Sequence, residues 1–232
     1  MSTAIIINSR YSGPPDSANG GYAAGLMASY LSFTPEITLR SPPPLNHPTQ
    51  LYIDSTTATL KDGERLIAEA RTSDFTMNVI EPVSFELALK ASKLSQEAEI
   101  VAFNDCFVCG KNRMEGEGLR IRPSKVGHQK VATVWKPHPN FGDANGNVKT
   151  EYIWAALDCP GVWALQDMSK VYLLGRIAAK NIKPIKVDRT YIVMGWVIGN
   201  EGRKSWTGTA IYESSGEVSA FAKGTWIQIV AR

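Results

Sequence analysis

Two segments of this chain predict helices that have no polar face. The stretch YIWAALDCPGVWAL, residues 152–165, carries one charged residue, Asp158, in fourteen. The earlier stretch YAAGLMASY, residues 22–30, consists almost wholly of apolar and small residues. A helix that is apolar on all sides must be buried on all sides. A curved antiparallel sheet can wrap closely around such helices, so the sequence predicts an α+β fold with two central helices.

Each predicted helix is followed by a predicted β-hairpin, and this order indicates an internal repeat. The hairpin segments LKDGERLIAEARTSDF and ESSGEVSAFAKGTWI can be aligned so that Gly63 lies on Gly216. Both glycines fall in tight turns, where a positive φ is needed. The two helices are predicted at Asn19–Leu31 and Glu151–Leu165.

The repeat divides the chain into two halves. We expect an N-terminal half over residues 1–80 and a C-terminal half over residues 103–232. Between them, residues 81–102 are predicted to be a polar linker that contains a short amphipathic helix.

Composition excludes several classes of partner. The net charge is +3, and no block of five or six like charges occurs, so nucleic acid is not expected as a partner. No window approaches 18 consecutive apolar residues, which excludes a membrane-spanning helix. The three isoleucines near the N-terminus are too short a run for a signal peptide. Together with only three cysteines, these features predict a reduced, cytoplasmic protein.

The cysteines do not form a recognisable metal motif in the sequence. Cys106 and Cys109 make one CxxC pair, whereas a structural zinc site needs four ligands. Cys159, His128 and His138 have no convincing spacing to complete it. We therefore expect small buried thiols, with no metal ion and no cofactor.

The start of the first helix is unusual because Gly20 and Gly21 occupy its first turn, where glycine is unfavourable. Helix N-termini have unpaired N–H groups and the positive end of the helix dipole, so these amides could bind an anionic oxygen. Alternatively, the glycines only allow the sheet to pass close to the helix. Asn19 is either an N-cap or a group that orients substrate or water.

Asp158 is the ionisable group in a segment that otherwise demands burial. Burial raises a carboxyl pKa, and such a group suits a general base. Pro160 cannot donate a hydrogen bond to the Ala156 carbonyl, so a bend is expected there. In the alternative interpretation, Asp158 caps a new helix that begins at Pro160.

Three stretches of the sequence together resemble the double hot-dog thioesterase superfamily, especially the bacterial acyl-CoA thioesterase II family. These are NGGYAAGLMASY, EYIWAALD and the closing strands VDRTYIVMGWVIGNEGRKSWTGTAIYESSGEVSAFAKG. The resemblance implies a tandem hot-dog fold, in which an antiparallel sheet wraps the central helix of each half. It also implies hydrolysis of acyl-CoA or a related thioester at a site shared between the halves.

The resemblance implies roles for the candidate residues. Asp158 would assist the attacking water, and the amides of Gly20 and Gly21 would hold the oxyanion, with Asn19 beside them. The family also uses a Thr and a Gln to hold the water, but the part of the closing strand where the Gln should fall reads FAKGTW, without a Gln. A non-catalytic protein that binds acyl groups or acyl-CoA is therefore the alternative. An enoyl-CoA hydratase is disfavoured, because no helix start carries an Asp followed by a His five residues later.

Other residues are candidates for substrate binding. Leu26, Trp154 and Trp163 could line a pocket for an acyl tail. Arg203 and Lys204 could contact the phosphates of coenzyme A, or they could simply be solvated.

The repeat also predicts that the two equivalent sites differ. Aligning the helix starts places Asn19, Gly20 and Gly21 opposite residues 149–151, and Asp158 opposite Ala28. Only one combination then contains both the glycines and the acid, so we expect one working site. We also expect that two hot-dog units in one chain can exist as a monomer, with further homo-oligomers forming through sheet edges.

Overall fold

The computed structural model describes residues 2–97, 103–165 and 170–229. Its helices and strands follow one another as β1 (Ser2–Ile6), α1 (Gly20–Ala28), β2 (Pro35–Leu39), β3 (Pro48–Ile53), β4 (Thr57–Asp62), β5 (Arg65–Thr72), α2 (Phe85–Glu97), β6 (Ser124–Gly127), β7 (Lys130–Trp135), α3 (Thr150–Ala156), α4 (Cys159–Ala164), β8 (Val171–Asn181), β9 (Tyr191–Glu201), β10 (Lys204–Tyr212) and β11 (Val218–Ile229). Among the described residues, no helix is both long and apolar enough to cross a membrane.

The strands form one antiparallel sheet in the order β1-β3-β4-β5-β2-β8-β11-β10-β9-β7-β6. The two sides of the sheet mirror each other about the central pair, β2 and β8, which is joined by the register Ile37↔Ile177. On this pattern β5 corresponds to β11, β4 to β10, β3 to β9 and β1 to β7. The large antiparallel sheet with few helices confirms the α+β class.

The hairpins predicted from the two glycines are present. Gly63 (φ 56°) lies in the turn between β4 and β5, and Gly216 (φ 94°) lies between β10 and β11. Both turns use a left-handed backbone conformation that residues other than glycine rarely adopt, as expected for tight hairpin turns.

Corresponding hydrogen bonds precede the helices α1 and α3. The N–H of Asn19 donates to the carbonyl of Tyr11 at 2.8 Å, and the N–H of Lys149 donates to the carbonyl of Phe141 at 3.0 Å. Tyr11 and Phe141 each end a short 3₁₀ turn. The chain thus approaches both helices in the same way. The matching residues are Asn19 and Lys149, which the sequence alignment of the two helix starts also placed opposite each other.

The predicted second helix, Glu151–Leu165, is in fact two helices. α3 ends at Ala156 and α4 begins at Cys159, because Pro160 has no N–H to continue the α-helical ladder. The first helix is also shorter than predicted. It begins after its N-cap Asn19, as expected, but ends at Ala28 rather than Leu31.

The amphipathic helix predicted within residues 81–102 is α2. Its small residues Ala88 and Ala91 are buried, and the helix packs against β6 and β7 of the sheet. Residues 98–102, the end of the predicted linker, lie outside the described residues. The segment before α2 is also tied to the sheet, because the Tyr212 hydroxyl donates to the Ile80 carbonyl at 2.7 Å.

The two central helices pack directly against each other at unusually close range. A Cβ added at Gly25 of α1 would lie 2.6 Å from the Trp154 Cβ and 2.8 Å from the Glu151 Cα of α3. Gly21 and Gly25 are therefore approached most closely by α3 and the residues just after it, whereas Gly20 is approached by Leu39 and Leu174 of the sheet. This contact brings the N-terminus of α1 to the break between α3 and α4.

Candidate active site

Asp158 occupies the break between α3 and α4. It has the N-cap position of α4, but its side chain makes no capping hydrogen bond. The alternative interpretation is therefore right that a new helix starts here with Asp158 at its N-cap position, but wrong that the Asp158 side chain caps it. The preceding residue is anchored to the sheet, because the buried Thr209 hydroxyl donates to the Leu157 carbonyl at 2.7 Å. The break thus points the Asp158 carboxylate towards α1.

The Asp158 carboxylate is held through one of its two oxygens. Oδ2 accepts hydrogen bonds from the backbone N–H of Gly21 at 2.9 Å and from Asn19 Nδ2 at 2.8 Å. Oδ1 is buried and has no hydrogen-bond partner among the described residues. A buried acceptor without a partner is costly, so this oxygen is suited to binding a water or a ligand group.

The environment makes Asp158 harder to ionise. Burial raises the pKa of its carboxyl to about 7, although the hydrogen bonds from Gly21 and Asn19 oppose this shift. The side chain is 3% exposed. A carboxyl with a pKa near neutrality can exchange a proton with a bound water under physiological conditions.

The two glycines at the start of α1 have different roles. The Gly21 N–H already donates to Asp158, so the expectation that it would bind an oxyanion is wrong. A Cβ at Gly21 would lie 2.4 Å from the Asp158 Cβ, which explains the glycine by close approach. Gly20 instead lines the cavity described below, and its N–H has no acceptor among the described residues. Of the two amides, that of Gly20 is the available donor.

Asn19 connects the helix start to the carboxylate. Its Oδ1 accepts from the Tyr22 N–H at 2.8 Å, and its Nδ2 donates to Asp158 Oδ2. The side chain is therefore both an N-cap and a fixed partner of the acid.

We expect Asn19→Ser and Asn19→Ala to separate these two functions. The hydroxyl of Ser preserves the cap but does not reach Asp158, so it loses a hydrogen bond to a charged group, worth about 1.5–3 kcal/mol. Ala also loses the cap, which costs about 1 kcal/mol more. Urea denaturation measures both free energies of unfolding. Equal stabilities of the two variants would contradict the capping role.

A cavity of about 520 Å³ opens beside Asp158 and the start of α1. Its lining is mainly apolar and comes from α1, α4, β2, β8, β11 and the segments around residues 13–19 and 103–109. Its larger apolar side chains include Leu39, Phe103, Val162, Trp163, Leu174, Trp226 and Ile227. Two basic residues, Arg40 and Lys170, are also part of the lining.

The structure separates the predicted substrate-binding residues. Trp163 lines the cavity, but Leu26 and Trp154 are not among its described lining residues. Trp154 lies between the helices, against Gly25, and is 3% exposed. Arg203 lies on the turn between β9 and β10 and Lys204 is the first residue of β10; both are exposed and outside that lining. Their assignment to substrate binding came from charge alone, which says nothing about proximity.

The sequence did not predict that three cysteines would meet at this site. Cys106, Cys109 and Cys159 line the cavity and are buried, and their sulfurs all lie within 4.8 Å of one another. Hydrogen bonds from Cys109 and Cys159 hold the pKa of the Cys106 thiol well below its usual range. The spacing within CFVC was visible in the sequence, but the third thiol comes from a distant helix.

Comparison with known proteins identifies the fold. No family model matches the chain, and no curated protein matches it. The TesB protein of Mycobacterium avium subspecies paratuberculosis superposes with a TM-score of 0.63 at 11% identity, over 99% of this chain and 93% of that one. A hot-dog-fold protein of unknown function from Alicyclobacillus acidocaldarius gives a TM-score of 0.63 at 11% identity, covering 100% and 94% of the two chains.

A third structure, described as a candidate thioesterase II from Thermobifida fusca, gives a TM-score of 0.61 at 9% identity, with 99% and 92% coverage. These similarities extend over almost the whole length of each chain. The chain therefore has the fold of hot-dog thioesterase structures. At such low identity the likeness is one of fold, so function must be argued from the site.

Proposed function

We propose that this chain is a tandem hot-dog hydrolase that cleaves acyl-CoA or a related thioester by water attack assisted by Asp158. Residues 1–80 and 103–232 form the two hot-dog halves, and residues 81–102 connect them. The mirrored strand order and the matched approach to α1 and α3 support this division.

The observation that carries the proposal is the free oxygen of Asp158. Both protein hydrogen bonds to this carboxylate use Oδ2, which leaves Oδ1 buried and without a partner among the described residues. A water bound there would donate one hydrogen to Oδ1 and turn its lone pair towards the cavity. Asp158 then takes the proton as the water attacks the thioester carbonyl.

Gly20 supplies a hydrogen-bond donor for the carbonyl oxygen of the thioester. Its N–H lies at the N-terminus of the nine-residue helix α1, and Gly20 lines the cavity. The carbonyl oxygen of the thioester gains negative charge during attack, and a backbone donor at this position would stabilise it. Such a donor is worth about 3–4 kcal/mol in the transition state. When the intermediate collapses, the carbon–sulfur bond breaks and the thiol leaves.

The apolar lining suits the acyl chain of the substrate. Trp163, Leu174 and Trp226 would contact the chain, and Arg40 and Lys170 would lie near the phosphates of coenzyme A. This arrangement replaces Leu26, Trp154, Arg203 and Lys204 as the substrate contacts.

The equivalent position in the other half of the chain lacks the groups that a second site would need. Lys149 precedes α3 without a side-chain cap, and α1 carries Ala28 at the position that corresponds to Asp158. That end of the helix pair lacks both the glycines and the acid. One working site per chain is the consequence.

The proposal is tested by incubating the purified chain with short, medium and long acyl-CoA thioesters and a reagent for free thiols. We expect thiol release well above the spontaneous rate for at least one chain length. In the closing strand, the stretch FAKGTW, where the family's Gln would fall, carries Lys223, Gly224 and Thr225 and no Gln, which favours a non-catalytic binding protein as the second candidate. Acyl-CoA binding without thiol release would select that candidate.

We expect Leu174→Trp to shorten the acyl chains that the site accepts. Leu174 lies on β8 in the cavity lining, so a larger ring would occupy space needed by a long chain. The KM for long acyl-CoA should rise roughly tenfold, a loss of about 1.4 kcal/mol, with a smaller effect on short chains. Ile198→Trp, on an exposed position of β9, is the matched control. An equal effect on all chain lengths would contradict the placement of the acyl chain.

A further inference from the structure

The cysteine cluster beside the cavity has no part in the hydrolysis proposed above. Cys106 and Cys109 come from the segment that follows residues 98–102, whereas Cys159 begins α4. The three thiols are 3–6% exposed, and they are all the cysteines of the chain. Small buried thiols scatter through a core, but these three converge on one point.

We propose that Cys106, Cys109 and Cys159 form a binding site for a thiophilic divalent ion of the zinc class, with its fourth coordination position facing the cavity. This inference goes beyond the proposed hydrolysis and does not depend on it. It also reverses the expectation, drawn from the spacing of the cysteines, that no metal ion binds here.

The distances between the sulfurs fit such an ion. A tetrahedral zinc with Zn–S bonds of about 2.3 Å requires neighbouring sulfurs about 3.8 Å apart. The Cys106 and Cys159 sulfurs are 3.8 Å apart, and all three lie within 4.8 Å. A disulfide needs sulfurs about 2 Å apart, which is a larger displacement.

The backbone around Cys106 forms a tight turn that carries two of the three thiols. The turn closes when the Gly110 N–H donates to the Cys106 carbonyl at 2.9 Å. A Cβ at Gly110 would lie 2.5 Å from the carbonyl oxygens of Asn104 and Cys106, so this tight CxxCG turn requires glycine.

The surrounding polar groups compensate negative charge. Three thiolates and one divalent ion carry a net charge of −1. Arg122 is 8% exposed, lies within electrostatic range of Cys109, and has an Nε without a hydrogen-bond partner in the described part of the chain. Asn19 Nδ2 lies 3.9 Å from the sulfurs of both Cys106 and Cys159. A buried cation near a neutral thiol cluster would be costly, whereas a thiolate cluster compensates its charge.

Binding forms three bonds between thiolate sulfur and the metal, and releases to solvent the protons that the thiols still carry. The three sulfurs line the cavity, so the remaining position is open to water or to a ligand in the cavity. Three protein ligands and one open position are typical of zinc sites that exchange a ligand.

The test uses the full chain, purified under anaerobic reducing conditions and dialysed against zinc or cobalt(II) at micromolar free concentration. We expect one ion per chain by elemental analysis. The cobalt form should show the sulfur-to-cobalt charge-transfer band and the intense visible bands of a tetrahedral thiolate site. The bound ion should also protect all three thiols from a thiol reagent until a chelator is added.

Variants identify the ligands. Cys106→Ser and Cys159→Ser should each lower metal affinity at least a hundredfold. Ala164→Ser, which adds a hydroxyl at a buried position of α4, is the matched control and should keep one ion per chain. Asp158→Asn should also keep the ion, which separates this site from the proposed general base. Circular dichroism establishes that each variant is folded.

Two results on the wild-type chain alone would overturn the proposal. One is a folded protein that takes up neither zinc nor cobalt, although a thiol reagent detects all three cysteines as free thiols after denaturation. The other is loss of two titratable thiols under the same reducing conditions, which would indicate a disulfide. Retention of the ion by both cysteine variants would overturn the ligand assignment. Loss of the ion from Asp158→Asn would mean that Asp158 is the fourth ligand, and would overturn the claim that the fourth position is open to the cavity.

Discussion

Asp158→Asn is expected to lower the turnover of acyl-CoA by at least roughly tenfold, since a positioned general base typically contributes about 10²–10⁴-fold. The affinity for acyl-CoA should stay almost unchanged, because the loss lies in the transition state. The substitution is mild for the fold. Both hydrogen bonds to the carboxylate use Oδ2, so the Asn carbonyl can accept them from Gly21 and Asn19. Only Oδ1, the oxygen that would take the proton, is replaced by an amide group.

The measurement is kcat and KM from thiol release, together with thermal denaturation of both proteins. Asp74→Asn provides the control, since Asp74 is exposed and lies outside the cavity lining. Full turnover in Asp158→Asn would show that the carboxylate is not the base. A large rise in KM at constant kcat would assign Asp158 to binding instead.

Gly21→Ala is the second change with a large expected effect. The added methyl group would lie 2.4 Å from the Asp158 Cβ and 2.8 Å from the Trp154 carbonyl oxygen. Neither neighbour is the end of a flexible side chain, so α1 must move away from α3. Overpacking of this kind costs about 1–3 kcal/mol, which exceeds the roughly 1 kcal/mol that Ala gains over Gly in a helix.

The same displacement should damage the site. It lengthens the 2.9 Å hydrogen bond between the Gly21 N–H and Asp158 and shifts Gly20 relative to the carboxylate. A misplacement of about 1 Å can lower the rate on the order of a hundredfold. Gly199→Ala, where the nearest atom would be 4.0 Å away, should change neither stability nor turnover appreciably. Wild-type stability and turnover in Gly21→Ala would contradict the close contact between α1 and the break before α4.

Patterns within short windows predicted the main elements of this fold. The first apolar helix, its N-cap at Asn19 and the hairpin turns at Gly63 and Gly216 follow from local rules of burial, capping and φ, and all are present. The second apolar helix is present as two shorter helices, α3 and α4. The break at Pro160 was expected as a bend, because the loss of one N–H is a local property. Whether the chain bends or starts a new helix depends on tertiary contacts, among them the anchoring of Leu157 by Thr209.

The site was harder to predict because its parts are far apart in the chain. Asp158 could be singled out as a charge in an apolar segment. The hydrogen bond between the Gly21 N–H and this carboxylate joins residues 137 positions apart in the chain. It leaves the Gly20 N–H as the available donor, and short windows of sequence do not reveal such a contact. The cavity lining from β8 and β11 and the convergence of Cys159 with the CxxC turn are likewise set by topology. Charge and aromatic content therefore pointed to Arg203, Lys204 and Trp154, which do not line the cavity.

A single turnover in water labelled with heavy oxygen tests most directly that a water activated by Asp158 attacks the thioester. The protein is mixed in excess over acyl-CoA, and the released acid and the peptide that contains Asp158 are weighed by mass spectrometry. Direct attack by water predicts one heavy oxygen in the released acid and none in the Asp158 peptide. Heavy oxygen in the Asp158 carboxylate would mean that this side chain attacks the thioester itself, and the absence of released acid would mean that the site does not hydrolyse it.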